Sequence, residues 1–202
     1  MKKIAATAAA LLLTAALSAP SAAAAGLTHK VSPGDTMWKL AVQYQVGTGE
    51  IIAANPQVEN PNLIYPGQVL NIPQVSQAVR AYEQEVVRLV NAQRAQNGLK
   101  PLAENWELSR VARYKSADMA GKRYFSHESP TYGSPYQMMR NFGISFRSAG
   151  ENIAYGQRTP AAVVGAWMNS SGHRANILSS SYTQIGVGYH EAGNYWTQMF
   201  IG

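Results

Sequence analysis

No cysteine occurs among the 202 residues, which removes disulfide staples, thiolate metal sites and every hydrolytic mechanism built on a cysteine nucleophile. If the chain is exported, its fold must stand on its apolar core alone. Charged residues are sparse, at 14%, and no Lys/Arg block is interleaved with aromatics, so the signature of a nucleic-acid-binding surface is missing. A Gly-x-Ser-x-Gly elbow and a His-Glu-x-x-His helix are both absent, which excludes the sequence patterns of α/β-hydrolases and of common zinc peptidases. Past the N-terminus, no apolar run is long enough to span a bilayer.

The N-terminus itself is distinctive. Lys2-Lys3 forms a basic start, Ile4 to Leu17 an Ala/Leu-rich stretch, and Ala23-Ala24-Ala25 a small-residue cleavage site before Gly26. The apolar run falls short of the ~18 residues a membrane helix needs and ends in Pro20. Residues 1–25 therefore read as a secretory signal peptide, with no stable membrane insertion after cleavage. With Lys2 and Lys3 removed from the 17 basic residues, against 11 acidic ones, the net charge falls from +6 to about +4. A modest positive charge suits both an anionic cell envelope and plain solubility.

Residues 26–73 read as a small unit of order strand, helix, helix, strand. His29-Lys30-Val31 is a strand and Ser32-Pro33-Gly34 a turn. Asp35 stands where an N-cap would precede a helix with Met37, Leu40, Ala41 and Tyr44 on one face. Thr48 is placed to cap a second helix, which Pro56 stops near Asn55. Tyr65-Pro66-Gly67-Gln68 is a turn into a closing strand over Val69 to Ile72. His29 has no evident partner.

The run Val31-Ser32-Pro33-Gly34-Asp35-Thr36-Met37-Trp38-Lys39-Leu40-Ala41, followed by Asn55-Pro56 and Asn62-Leu63-Ile64-Tyr65-Pro66-Gly67-Gln68, resembles a LysM domain. The resemblance implies binding of N-acetylglucosamine-containing glycan, peptidoglycan or chitin-like, between two loops. Those loops here are Gly34, Asp35, Thr36 and Met37 on one side and Asn62, Leu63 and Ile64 on the other. An acetamide needs a backbone donor and acceptor and an apolar wall, which loop amides beside Met37, Leu63 and Ile64 supply.

Residues 74–78 form a short polar join to a second unit, residues 79–202. Ser76 caps a helix burying Val79, Tyr82, Val86, Leu89 and Val90 and stopped by Asn97-Gly98. A second helix carries Leu108, Val111, Ala112, Lys115 and Met119 at helical spacing, ending by Gly121. Ser134-Pro135 and Thr159-Pro160 each open a further helix with a cap followed by proline. Strands are predicted at Ile153 to Tyr155, Ile185 to Tyr189 and Tyr195 to Ile201, the last two joined by a hairpin turn. The segment from Asn169 to Leu178 reads as a glycine-broken loop. Trp167 and Trp196 are core, Arg174 caps carbonyls or pairs with a carboxylate, and His190 is an isolated strand residue. The fold class is α+β.

Tyr124-Phe125-Ser126-His127, Gly150-Glu151-Asn152-Ile153-Ala154, Trp167 to Leu178, Ile185-Gly186-Val187-Gly188 and Tyr195-Trp196-Thr197-Gln198 together resemble the CAP superfamily of cysteine-rich secretory, antigen 5 and pathogenesis-related 1 proteins. That resemblance implies an α-β-α sandwich with a cleft, beside the small βααβ LysM unit. Members often place two histidines and two glutamates in the cleft, and the motifs carry over His127 and Glu151. Two positions depart from the pattern: the second Glu is Ser170 and the second His is Tyr195. His173, in a Gly-His-Arg pattern of bacterial members, offers a second imidazole instead.

His127, Glu151 and His173 are thus the candidate cleft residues. His127 and His173 are also candidate ligands for a divalent metal such as zinc, with Glu151 as ligand or general base. Alternatively the three form a hydrogen-bonded polar network with Ser126, Asn152 and Asn176, with Gln198 near the cleft. Two functions remain open. One is a secreted, wall-associated protein that holds peptidoglycan and presents a cleft to a ligand. The other is a wall-targeted metal-dependent hydrolase of peptide or amide bonds.

Overall fold

The computed structural model describes residues 26–202, so the signal peptide expected at residues 1–25 lies outside the described residues. The chain opens with β1 (Thr28–Lys30), α1 (Met37–Tyr44), α2 (Thr48–Ala53) and β2 (Val69–Asn71), the strands pairing antiparallel from Thr28↔Asn71 to Lys30↔Val69. Their core is Val31, Met37, Leu40, Ala41, Ile51, Leu70 and Ile72. Buried Asn55 ties the end of α2 to β2, donating to the carbonyls of Ile51 and Asn71 and accepting from the Asn71 N–H. Both expected caps shift by one residue. Thr36, not Asp35, caps α1 by accepting from the Lys39 N–H at 3.1 Å, and Gly47 rather than Thr48 precedes α2. Asp35 is drawn away by His29 Nε2 at 2.9 Å and the Ser32 N–H at 2.7 Å, so His29 does have a partner. Tyr44 holds its other ring nitrogen.

The rest of the chain runs α3 (Gln77–Gln96), β3 (Ala103–Glu104), α4 (Trp106–Lys122), α5 (Pro135–Asn141), β4 (Ala149–Tyr155), α6 (Pro160–Asn169), α7 (Ser171–Ile177), β5 (Gln184–His190) and β6 (Tyr195–Ile201). Ser76, Asn105, Ser134 and Thr159 cap their helices through side-chain oxygens, each accepting an N–H that has no partner within the helix. The sheet has order β3-β5-β6-β4, with only β3 parallel to its neighbour.

Because side chains alternate along a strand, register assigns each residue to a face. Ala154, Trp196, Val187, Ile185 and Phe200 bury one face beneath α3, α6 and α7. Met199, Ile201 and Ala149 bury the other beneath α4 and α5. The result is an α-β-α sandwich. The α4 backbone lies directly on β5, where a Cβ on Gly186 would fall 2.4 Å from the Leu108 carbonyl carbon and one on Gly188 only 2.1 Å from that of Ala112. Ser116 completes the seam, donating to the Gly188 carbonyl at 2.9 Å. Among the described residues no helix is long and apolar enough to cross a membrane.

The N-terminal core does not stand apart. Glu50 of α2 receives Arg110 Nε of α4 at 2.5 Å and the Tyr114 hydroxyl at 2.8 Å through Oε1, while its Oε2 accepts the Gly47 N–H. The Arg110 guanidinium also lies over the Phe142 ring, and it packs so closely on Gly47 that a Cβ there would fall 2.2 Å from Nη2. Burial pushes the Glu50 carboxyl up, but the Gly47 N–H, Arg110 and Tyr114 together outweigh it and hold the group below its ordinary 4.5.

A depressed carboxyl pKa gives stability that is present above the unfolded value and lost as pH falls through the folded one. Glu50→Gln should therefore lower the melting temperature at pH 7, and the gap between wild type and variant should close as pH falls below 4.5, measured by thermal denaturation. Gly188→Ala, which places a methyl in the α4 backbone, should destabilise by about 1–3 kcal/mol in urea titration.

Candidate functional site

The site is assembled from the C-terminal half of α4. Lys115 lies on the face that packs on the sheet and is only 1% exposed, yet it is a cation. Its ammonium donates to the His127 carbonyl at 2.8 Å and the Tyr124 hydroxyl at 3.2 Å. Burial lowers its pKa, opposed by the carboxylates of Glu151, Asp118 and Glu128. One turn on, Asp118 accepts from the hydroxyls of Tyr124, Ser129 and Thr131. Burial would raise its carboxyl pKa, but these bonds and Lys122 hold it below the usual range, while burial and Asp118 push the Tyr124 phenol well up. The loop carrying His127 is thus pinned from beneath by a buried cation and a buried anion.

His127 meets Glu151 of β4 with Nδ1 2.7 Å from Oε1. The buried carboxylate can only accept, so Nδ1 carries the proton and donates. The imidazole remains exposed, whereas the Glu151 side chain is 1% exposed. Its second oxygen, Oε2, is buried without a hydrogen-bond partner. Both residues line an open cleft of about 370 Å³, together with Glu128, Ser134, Tyr136 and Tyr182.

The segment expected as a loop is helix α7, and it flanks β4, the edge strand of the sheet. Asn176 donates to the Glu151 carbonyl at 3.2 Å and to Asn152 Oδ1 at 2.8 Å, and Asn152 donates to the His173 carbonyl and to Gln198 Oε1. These amides cover an edge that would otherwise expose strand carbonyls. Arg174 caps, donating to the Met168 carbonyl at 3.0 Å. The Trp167 and Trp196 rings are core, their indole N–H groups bonded to the carbonyls of Ile153 and Gln157.

His173 is half-buried on α7, and burial followed by the charge of His127 lowers its pKa. His173 does not line the cleft that His127 and Glu151 share. Ser126 also stays out of the network, accepting only from the Glu128 N–H. Among the described residues no three His, Cys, Asp or Glu side chains converge to hold a metal ion. The donor set is thus short of the three protein ligands of a catalytic zinc site, and the residues present do not fit a tightly held divalent metal.

In the N-terminal unit, Gly34 adopts φ 88° and its carbonyl accepts from Lys39 Nζ at 2.7 Å, Thr36 serves as cap, and Met37 is core. Asp35 is committed to His29 and Ser32. Across from them Ile64 packs on the core, the Asn62 N–H bonds Asn60 Oδ1, and Leu63 is left 51% exposed. Leu63 borders a hollow of about 390 Å³ with Gln57, Asn60, Tyr65 and Gln68. Sequence reasoning missed Tyr65 and the anchoring role of Lys115, although a lysine at core spacing on α4 was a visible signal. Asn176→Ala, which strips hydrogen bonds from Asn152 and the Glu151 carbonyl, should cost about 1–3 kcal/mol in denaturant titration.

The profile of the cysteine-rich secretory protein family (CAP) matches residues 87–200, and that of the LysM domain matches residues 29–73. The uncharacterised protein YkwD of Bacillus subtilis is 62% identical over 125 residues, covering 62% of this chain and 49% of that protein. An endolysin of Bacillus phage PZA is 40% identical over 47 residues, covering 23% of this chain and 18% of its own. The crystal structure of an extracellular protein containing an SCP domain from Bacillus anthracis superposes with TM-score 0.59 at 33% identity, covering 67% of this chain and 47% of that one. The chain therefore spans about half the length of YkwD and of the anthracis protein. Fold, motifs and profile agree that this chain belongs to the cysteine-rich secretory protein (CAP) family, with a LysM domain preceding the CAP domain.

Proposed function

We propose that the chain is exported through residues 1–25, that residues 26–73 hold the N-acetylglucosamine glycan of peptidoglycan, and that residues 79–202 present the His127–Glu151 cleft to a wall-derived ligand. The LysM domain is a cell-wall-binding module, and the exposed Leu63 beside loop amides supports a glycan contact there. The observation that carries the cleft reading is Glu151 Oε2. A carboxylate oxygen buried without a partner costs several kcal/mol unless something satisfies it, and the residue that carries this one lines an open cleft. Its chemistry selects a donor, an amide N–H or ammonium, and His127 Nε2 beside it accepts a second hydrogen bond. Peptides attached to wall glycan carry both kinds of donor.

A second reading, a hydrolase of peptide or amide bonds, draws on the same pair, because a buried carboxylate orienting an exposed imidazole is also how a general base is held. It needs no metal in that form. The two readings part on product. The full chain should pellet with purified peptidoglycan, Leu63→Asp should weaken pelleting by about tenfold, and Glu151→Gln should leave pelleting intact. Pelleting insensitive to Leu63→Asp would contradict glycan binding at these loops. Release of new amino groups from peptidoglycan by the wild type, lost in Glu151→Gln, would establish the hydrolase; their absence would leave the cleft a binding site.

A further inference from the structure

Two residues before His127 and four residues after Glu151, the same two segments carry aromatic rings outward. Phe125 is 53% exposed and Tyr155 54% exposed, with their ring centroids 6.3 Å apart. Tyr155 pairs directly across the sheet with Tyr195, at 4.7 Å between centroids and 39° between planes. Tyr195 occupies the position where many relatives carry the second histidine, so a corner that elsewhere offers an imidazole is here a pair of tilted aromatic rings.

The shelf is built in advance. The Gly156 N–H bonds the Asn194 carbonyl at 3.0 Å, and the Tyr189 hydroxyl bonds Asn194 Oδ1 at 2.7 Å, tying the β5–β6 turn to the end of β4. Gly193 in that turn has φ 86°, and a Cβ there would lie 2.7 Å from the Tyr195 ring and 3.4 Å from that of Tyr155. Only glycine meets both demands. Among the described residues neither the Tyr155 nor the Tyr195 hydroxyl is held by another protein group, so both are free to bond a ligand at the rim.

We infer that Phe125, Tyr155 and Tyr195 form a stacking subsite for a pyranose ring of wall glycan, whose attached peptide reaches the His127–Glu151 cleft. The occupant follows from continuity. Phe125 meets Tyr155 while His127 meets Glu151, so the loop runs beside β4 from shelf to cleft. Tyr155 lies four residue steps along β4 from Glu151, about 13 Å, which a short extended peptide spans. Exposed apolar rings tilted by 46° and 39° to one another, with hydroxyls at their rim, suit a pyranose, which presents C–H groups on its faces and hydroxyls around its edge. The proposal rests on the wall-ligand reading of the cleft, and adds the sugar to it.

Calorimetric titration of the full chain with a disaccharide–pentapeptide fragment of peptidoglycan, and with the free pentapeptide, tests this. The wild type should bind the disaccharide–peptide at two sites. Tyr155→Ala and Tyr195→Ala should weaken one site by about tenfold or more, Tyr155→Phe should retain it, and Leu63→Asp should affect only the other. The free pentapeptide should bind equally to wild type and Tyr155→Ala. If folded Tyr155→Ala binds the disaccharide–peptide as the wild type does, the shelf proposal is overturned while the LysM reading stands. If the wild type binds neither probe, both are overturned. Tyr155-dependent binding to phosphatidylglycerol vesicles without sugar binding would also overturn it, assigning the shelf to lipid.

Discussion

The α4 backbone rests on a strip of β5 that has no side chains at Gly186 and Gly188, and much of the C-terminal half of the molecule is positioned by that contact. A helix held against a sheet at backbone distance cannot roll or slide, because every neighbouring side chain is already interlocked. The side chains of its three successive stretches are therefore fixed in space. The N-terminal turns present Arg110 and Tyr114 to Glu50 of the LysM domain. The middle sends Lys115 under the His127 loop, and the last turns supply Asp118 to the hydroxyls of that loop. One helix thus connects the LysM domain to the His127–Glu151 cleft of the CAP domain.

Charge inside this arrangement is balanced rather than avoided. Lys115 is buried among Glu151, Asp118 and Glu128, and Glu83 is buried against the Arg113 guanidinium, burial pushing its carboxyl up even so. Buried ions of this kind stabilise little by themselves and specify position more than they strengthen the fold. Here the position specified is that of His127. Its carbonyl is held from below and its Nδ1 from the side, leaving one ring nitrogen free at the surface of the cleft. Among the described residues, the carboxylate that holds Nδ1 keeps its other oxygen, Glu151 Oε2, buried without a partner.

Much of this was legible from residue order. The Ser76, Ser134 and Thr159 caps, the apolar spacing of α4 and the β5–β6 hairpin are local signals, and the structure follows them. On α3, Val86 and Val90 are buried as expected but Tyr82 is left exposed, its ring lying against Tyr189 and Trp196 at the surface. What was not legible depends on partners far away in the chain. Asp35 reads as a cap until His29 is folded against it, whereupon Thr36 takes over. The segment around Gly172 reads as a loop by propensity, but Asn176 and Arg174 find carbonyls on β4 and α6 that reward a helix. Glu50 and Arg110 lie 60 residues apart, and nothing in either segment announces the other. The motifs offered His127, Glu151 and His173; the folded chain brings the first two into contact, and His173 does not line the cleft they share.

A chain whose two ends are joined through α4 should respond to wall material as one object. The direct measurement is a two-dimensional NMR titration of the full protein with soluble peptidoglycan fragments, following backbone amides and histidine ring nitrogens. Shifts should appear both in the loops around Gly34 and Leu63 and at His127, Glu151 and Tyr155. Shifts confined to residues 28–72, with the His127 ring unchanged at saturation, would contradict a wall ligand in the cleft.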